Sequence, residues 1–442
     1  MAKEAHEIRD PIHVFVHLTL EELKVVNSRP FQRLRQIHQL ALTYLVYPGA
    51  THRRFEHSLG VMELATRIYD VITNPEAVSE EIRQVLPELH DHDKLRYWRR
   101  VLRIAALCHD IGHLPFSHAA EKELLPEGWD HERLSRALIQ SPEMVEIWNG
   151  MTPPLRSEDV VKIALGPKKA KDLKFTVWQT ILSEIIVGDA LGADRMDYLL
   201  RDSHHAGVAY GRFDHYRLVD TLRLLPSRYE GAGEHLGEPA LGVEGGGLQS
   251  AEALLLARYL MYSQVYFHPV RRIYDIHLKD FLLEWLPGGR FPTDVSEHLR
   301  LTDNEVSSAI YAAAFDAGRP GHLHARRLVC REHFRILYQR HPDDLKKNLE
   351  AVEKIYRAVR EQFGDENVRH DEYPAKGGLS DFPIRTKDGR IASALSMSDT
   401  LQRLPIVVLG SVYVNPAVLD EAKLWLDANR DSVIQSKGEE AA

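Results

Sequence analysis

Cysteine is scarce in this chain of 442 residues: there are two, Cys108 and Cys330. Neither belongs to a CxxC pair, which argues against a zinc ribbon and against a disulfide framework. Two thiols in so long a chain suit a reducing compartment, and a cytoplasmic location is expected. No run of about 18 apolar residues occurs, so no membrane-spanning helix is expected. The opening residues, MAKEAHEIRD, are charged and lack the apolar centre of a signal peptide. Excess positive charge is missing too. Lys and Arg number 56 against 64 Asp and Glu, a formal charge of −8. That balance argues against nucleic acid as a partner, although a local basic pocket can still hold phosphates. Internal repeats and low-complexity tracts are absent, and strand signals are few.

Apolar residues and histidines are plentiful. Hydrophobic residues make up 44% of the chain, enough for a sizeable core and for two to three domains at most. Eight of the 24 histidines fall between His52 and His131, which points to that region for chemistry. Apolar stripes at helical spacing follow His57 (Leu59, Leu64, Ile68, Val71) and end at His109 (Val101, Ile104, Ala105, Cys108). A third stripe runs toward Asp194 (Trp178, Ile181, Leu182, Ile185, Ile186). Further stripes cover roughly 249–267 and 326–363. Leu222–Leu225 and Leu241–Val243 flank a Gly-rich segment and are expected to pair as a hairpin with a long loop. Ile406–Val414 is β-rich. The basic run Lys168-Lys169-Ala170-Lys171 reads as a solvated loop. The expected fold is mainly α, a helical core over 1–285 and a smaller α+β C-terminal part over 286–442. The boundary is expected near Pro287-Gly288-Gly289.

The segment Cys108-His109-Asp110-Ile111-Gly112-His113 carries the first chemical signal. Adjacent His and Asp at a helix end offer one ion a nitrogen and an oxygen. Gly112 lets the backbone leave the helix and approach closely. Alone, the dipeptide is equally well read as a His held by an Asp partner. Context changes this. His57 lies in Arg54-Phe55-Glu56-His57-Ser58, and Asp194 in Gly192-Ala193-Asp194-Arg195-Met196-Asp197-Tyr198. Two imidazoles and two carboxylates (His57, His109, Asp110, Asp194) suit a divalent metal such as Mn, Mg, Fe or Zn, with positions left for water and substrate. Nearby, His113, His118 and His131 are imidazoles outside that set, suited to proton transfer or to a phosphate. The plainer reading is that they cap or support loops.

The H…HD…D order, with these flanking motifs, resembles the dNTP triphosphohydrolase branch of the HD superfamily. The resemblance is carried by Phe31-Gln32-Arg33-Leu34-Arg35, Gln39-Leu40, Pro48–His52, Arg54–Val61, Leu107–His113 and Pro115–His118. It continues through Asp194–Tyr198, Arg201-Asp202, Arg258, Tyr266, His268 and Asp381–Lys387. It implies an HD helical core that hydrolyses a dNTP to a deoxynucleoside and inorganic triphosphate, by attack of metal-activated water on the α-phosphorus. By position, His118 is then the general acid with Glu121 as its partner, where the family usually has Asp. His113 and His131 face the α-phosphate. Arg54 and Arg258 neutralise the phosphate chain, as planar donor forks suit. Gln39, Leu40, Tyr198, Asp202 and Tyr266 enclose the sugar. Tyr198 is four residues from Asp194 and Asp202 four from Tyr198, so one helical face would run from metal to sugar. The bland alternative makes Tyr198 and Tyr266 core aromatics and Arg258 a surface ion pair.

The resemblance also implies a homodimer or homotetramer regulated by a nucleotide activator. Gln32 and Arg35 match the regulatory site, but Asn27 stands where the family has an acid, and His6 where it has a Lys. An Asn cannot accept two guanine N–H bonds as a carboxylate does, so an activator of relaxed base choice is expected. Arg33, Arg271, Arg272 and Arg385 offer charges for such a ligand, or make ordinary pairs. Two competing readings stand beside this one. The first is another HD phosphohydrolase, acting on an alarmone, a cyclic dinucleotide or a nucleoside monophosphate, which would leave Arg258 and Tyr266 without a task. The second is a non-catalytic nucleotide-sensing or single-strand-binding protein, against which the intact ligand set and the net negative charge argue.

Overall fold

The computed structural model describes residues 5–117, 121–227, 237–373 and 381–435. Helices dominate, as the periodicity predicts, and three small sheets accompany them. The chain forms two compact units, each assembled from three stretches. The first comprises Met1–Met261, Phe291–Val306 and Gly378–Pro405; the second comprises Tyr262–Arg290, Ser307–Gly377 and Ile406–Ala442. The expected boundary at 285–286 falls inside the first stretch of the second unit.

The first unit is built around the helix Arg54–Ile72. Its start is fixed by Glu56, whose carboxylate accepts the Arg53 N–H at 2.7 Å. Residues on every side of this helix are buried, so it runs through the core. The helix His92–Cys108 packs against it. Its N-cap Asp91 accepts from the N–H groups of Asp93 and Lys94, and its last eight residues, Val101–Cys108, are all buried. The helix Val177–Val187 starts at a Thr176/Gln179 capping box, and the helix Ala193–Ala206 ends at Gly207 with φ +72°. A hairpin ribbon, Ala5–Asp10 with Val14–Thr19, opens the chain. Its turn closes on Asp10, whose carboxylate accepts the Ile12 and His13 N–H groups at 2.8 Å each. The expected hairpin is present: Leu222–Pro226 pairs antiparallel with Pro239–Glu244, and Pro383–Arg385 and Ile391–Ser393 extend that sheet.

In the second unit, Leu409–Val414 is the central strand between Arg335–Gln339 and Val368–Tyr373. Val412, Val414, Val352, Ile355 and Leu426 form its core with the helices Ala351–Phe363 and Leu419–Gln435. The apolar stripe expected over 326–363 is therefore not one helix. It is broken by the strand Arg335–Gln339, because Ile336 and Tyr338 pair across to Tyr413 and Val412. The stripe at 249–267 becomes the helix Leu248–Met261 and a π-helical turn, Tyr262–Tyr266. Among the described residues no helix is long and apolar enough to cross a membrane.

Candidate active site

Three elements of the first unit bring the expected ligands together. His57 is fully buried on the 54–72 helix, and His109 and Asp110 follow the end of the 92–108 helix. Asp194 lies in the first turn of the 193–206 helix. Ligand atoms of His57, His109 and Asp110 all lie within 4.8 Å of one another. Asp194 Oδ1 stands 3.0 Å from His57 Nε2 and 3.6 Å from His109 Nε2.

Both imidazoles are held so that Nε2 faces inward. His109 Nδ1 bonds the Ala106 carbonyl at 2.8 Å, and its buried Nε2 has no hydrogen-bond partner. His57 Nδ1 bonds Asp197 Oδ2 at 2.8 Å. Asp197, itself fully buried, also takes His13 Nε2 at 2.7 Å and two bonds from Arg201, at 2.8 and 2.9 Å. Arg201 in turn reaches Asp10 at 2.9 Å. A carboxylate behind a ligating histidine fixes its tautomer and raises its basicity. An inward, unpartnered Nε2 beside two carboxylates is a donor set that fits a divalent ion. The cluster attracts positive charge: burial lowers the His57 pKa, but Asp194 and Asp197 hold it up at about 10. Burial would raise the Asp110 carboxyl, yet His109, Arg54 and His113 hold it well below the usual range. The side chain of Asp194 is 30% exposed against 0% and 5% for the two histidines, so the cluster is open on the Asp194 side.

The flanking histidines assemble beside Asp110. The helix does not continue past Cys108, so His113 arrives through a turn. Its Nε2 lies 3.2 Å from Asp110 Oδ1. Its ring stacks on that of His131 with centroids 4.1 Å apart. Burial, Arg54 and the neighbouring His131 push the His113 pKa well down. His131 moves the other way: burial lowers it, but Glu121 and Glu132 raise it above its ordinary value. Glu121, expected beside His118, accepts from His131 Nδ1 at 2.7 Å. His118 and its pairing with Glu121 lie outside the described residues.

Arg54 is buried against the cluster. It bonds Asp110, and reaches Ser117 Oγ through Nε at 3.0 Å and Nη2 at 2.8 Å. Ser117 Oγ also bonds the His38 carbonyl at 3.2 Å, which brings the Gln39-Leu40 segment beside Arg54. Phe116 and Ser117 both adopt left-handed backbone, φ 55° and 58°, an uncommon conformation for such residues. Asp303 clamps this segment, accepting from Phe116 N at 2.7 Å and contacting His38 Nδ1 at 2.6 Å. Asp202, two turns along the helix from Asp194, bonds His52 Nε2 at 2.7 Å, and the His52 carbonyl accepts Gln39 N–H at 3.0 Å. Gln39, Asp202 and Arg54 are thereby tied into one neighbourhood. Tyr198 is half-buried on the same helix. Arg258 Nη1 is 3.3 Å from the carbonyl of Asp189, whose carboxylate holds Arg195 at 2.6 Å. Tyr266 belongs to the second unit, where its carbonyl accepts from Arg271.

The residues expected at a regulatory site are engaged locally. Arg35 bonds Gln32 at 3.0 Å and stacks 3.5 Å over the Phe55 ring. Asn27 caps the helix Leu20–Val26, and His6 sits exposed on the first strand. Arg33 is not a surface cation: it is buried, donating to the Leu301 carbonyl at 2.9 Å and the His113 carbonyl at 2.8 Å. Arg272 makes a two-pronged pair with Asp371 at 2.7 Å, Arg271 lies 3.4 Å from Asp275, and Arg385 bonds Glu244. Sequence reasoning gave no task to Asp197, Arg201, His13, Asp10, His52 or Asp303. Asp197 and Arg201 had a signal, lying three and seven residues past Asp194 on one helical face. His13, Asp10 and Asp303 had none.

Comparison with known proteins identifies the family. Residues 54–199 match the HD domain, and residues 213–370 match the HD associated region. An uncharacterised protein of Methanocaldococcus jannaschii is 36% identical over 272 residues, 62% of this chain and 48% of that protein. The human deoxynucleoside triphosphate triphosphohydrolase SAMHD1 is 29% identical over 342 residues, 69% of this chain and 50% of that protein. The chain thus spans about half the length of the curated relatives it matches. A crystal structure of a hypothetical protein from Aquifex aeolicus superposes with a TM-score of 0.76 at 33% identity, covering 96% of this chain and 100% of that one. The chain belongs to the HD-domain family and is similar to the SAMHD1 proteins.

Proposed function

We propose that the chain is a metal-dependent deoxynucleoside triphosphate triphosphohydrolase, releasing a deoxynucleoside and inorganic triphosphate. The carrying observation is the buried Nε2 of His109, unpartnered and facing Asp110 and Asp194 beside the stacked His113–His131 pair. When bound by His57, His109, Asp110 and Asp194, a divalent ion (Mn, Mg, Fe or Zn) supplies Lewis-acid charge and a more acidic water. The chain's own residues do the rest. Arg54 lends positive charge beside Asp110, where a phosphate would approach. The neutral His113 and the more basic His131 are suited to opposite ends of a proton exchange or phosphate hydrogen bond. His118, three residues before Glu121 in the sequence, is proposed to protonate the leaving 5′-oxygen. Arg258 is proposed to hold the far phosphates, and Gln39, Leu40, Tyr198, Asp202 and Tyr266 to enclose the sugar. The similarity to SAMHD1 supports the dNTP substrate over other nucleotides.

The same proposal includes a homodimer or homotetramer that responds to a nucleotide at Gln32 and Arg35. Light scattering with and without each dNTP tests it. A monomer throughout, with hyperbolic kinetics untouched by Arg35→Ala, would remove this part. The reaction itself is tested by incubating the protein with each dNTP and Mn or Mg and separating the products by ion exchange. Inorganic triphosphate is expected, with dNTPs turned over faster than NTPs.

A further inference from the structure

The basic run Lys168-Lys169-Ala170-Lys171, which the proposed reaction leaves without a task, has its three lysines exposed, as expected of a solvated loop. It lines a cavity of about 850 Å³ together with Arg133, Arg136 and Trp129. Two elements shape it. The loop after the helix Ser157–Leu165 turns at Gly166 (φ +70°), and Ala170 N–H returns to the Gly166 carbonyl at 3.0 Å. Ala170, 1% exposed, anchors the loop, so the three lysines are displayed from a fixed turn. The helix His131–Ile139 supplies Arg133 and Arg136, one turn apart on one face.

Five cations meet three carboxylates here, Asp130, Glu132 and Asp172, in a chain whose overall charge is −8. Some of the cations are paired. Arg136 holds Asp172 at 2.8 Å, Lys169 holds Glu132 at 2.5 Å, and Lys168 bonds Asp189. Lys168 and Asp172 are well exposed, at 81% and 60%, so the pairs they make are weak and yield to a multiply charged competitor, whereas Glu132 is 18% exposed and its pair with Lys169 is the firmer one. Among the described residues no carboxylate lies in ion-pair range of Arg133 or Lys171. The cavity also abuts the candidate active site, since Glu132 lies 3.3 Å from His131 Nδ1.

We propose that this cavity is a second anion site that takes a triphosphate chain. A single phosphate would reach only part of a cavity this wide; three linked phosphates carry enough charge to engage lysines and arginines from both walls. Free inorganic triphosphate and the end of a nucleotide with its base toward Trp129 present the same chemistry to this site. The site stands whether or not the proposed hydrolysis does.

The test is calorimetric titration of inorganic triphosphate into the full chain, and into an Arg133→Glu, Lys171→Glu variant. Both residues are exposed and outside the candidate active site, so folding and turnover at saturating substrate should be unchanged. The wild type should bind one triphosphate that the variant loses or binds roughly tenfold or more weakly. That binding event should persist in Asp110→Ala. A non-hydrolysable dNTP analogue that shows the same loss identifies the nucleotide as a source; loss for inorganic triphosphate alone identifies the free anion. Identical isotherms for wild type and variant, or disappearance of the binding event in Asp110→Ala, would overturn the proposal.

Discussion

At the scale of single residues, the site works by holding each imidazole in one orientation. His109 is fixed by a carbonyl of its own helix, whereas His57 depends on a carboxylate 140 residues away in sequence. His109→Ala or Asp110→Ala should therefore abolish metal binding and turnover together; metal analysis of the purified variants checks this, and full activity in a metal-free variant would contradict it. Asp197→Asn is the subtler case. It keeps the shape but removes the charge that four donors share, so metal affinity should fall roughly 10- to 100-fold. Unchanged affinity in a metal titration would show that Asp197 only packs. The candidate ligands were legible because His57, His109-Asp110 and Asp194 each sit in a local motif. The support of Asp197 by His13, and of Phe116 by Asp303, joins residues 184 and 187 positions apart. No spacing rule reaches that far, so those partners were invisible until the chain was folded.

At the scale of elements, small residues set how closely the helices meet. A Cβ at Gly60 would lie 2.0 Å from Asp197 Oδ1 and 2.4 Å from Arg201 Nη2. Gly60 thus lets the 54–72 helix meet the 193–206 helix with His57 in reach of Asp197. Gly60→Ala should cost about 1–3 kcal/mol or more and weaken metal binding as well; a wild-type melting temperature would refute this. Gly112 does the same for the turn after Asp110, where a Cβ would lie 2.2 Å from Ser135 N. Its φ is not positive, so close approach, not backbone freedom, is the reason for glycine, as its place in the motif suggests. Helix existence was readable from 3.6-residue periodicity. The strand Arg335–Gln339 was not, because its apolar residues continue the preceding helical spacing and only pairing with Leu409–Val414 decides between the two. The opening ribbon was missed for a related reason: Val14, Phe15 and Val16 run apolar together although only Val16 is buried, and Asp10 and His13 matter through distant partners.

A buried ion pair links these elements and gives a pH test. Glu22, on the helix Leu20–Val26, receives Arg103 at 2.5 and 2.9 Å, and Arg103 also bonds Thr66 on the central helix. Burial raises the Glu22 carboxyl, but Arg103 and the Thr19 cap lower it below its ordinary 4.5. A depressed carboxylate stabilises the fold above its unfolded value and loses that contribution as pH falls through the folded value. Glu22→Gln should cost roughly 3–5 kcal/mol at neutral pH, with the gap from wild type narrowing below about pH 4.5. Denaturant curves at several pH values check this; a gap that widens on acidification would reverse the sign.

For the whole molecule, the division of labour differs from a simple cut of the chain. All four expected metal ligands lie in the first unit, and that unit also recruits 291–306, which brings Asp303 to the segment before His118. Late sequence thus supports an early motif, and no boundary drawn along the chain would have revealed it. The central claim is the reaction, and product analysis tests it most directly. The full chain is incubated with dATP and Mn or Mg, and the products are resolved by ion exchange beside the His109→Ala variant. The account predicts deoxyadenosine and intact inorganic triphosphate, both absent with the variant. Deoxyadenosine monophosphate with pyrophosphate, or no turnover of any dNTP while an alarmone or cyclic dinucleotide is cleaved, would contradict it.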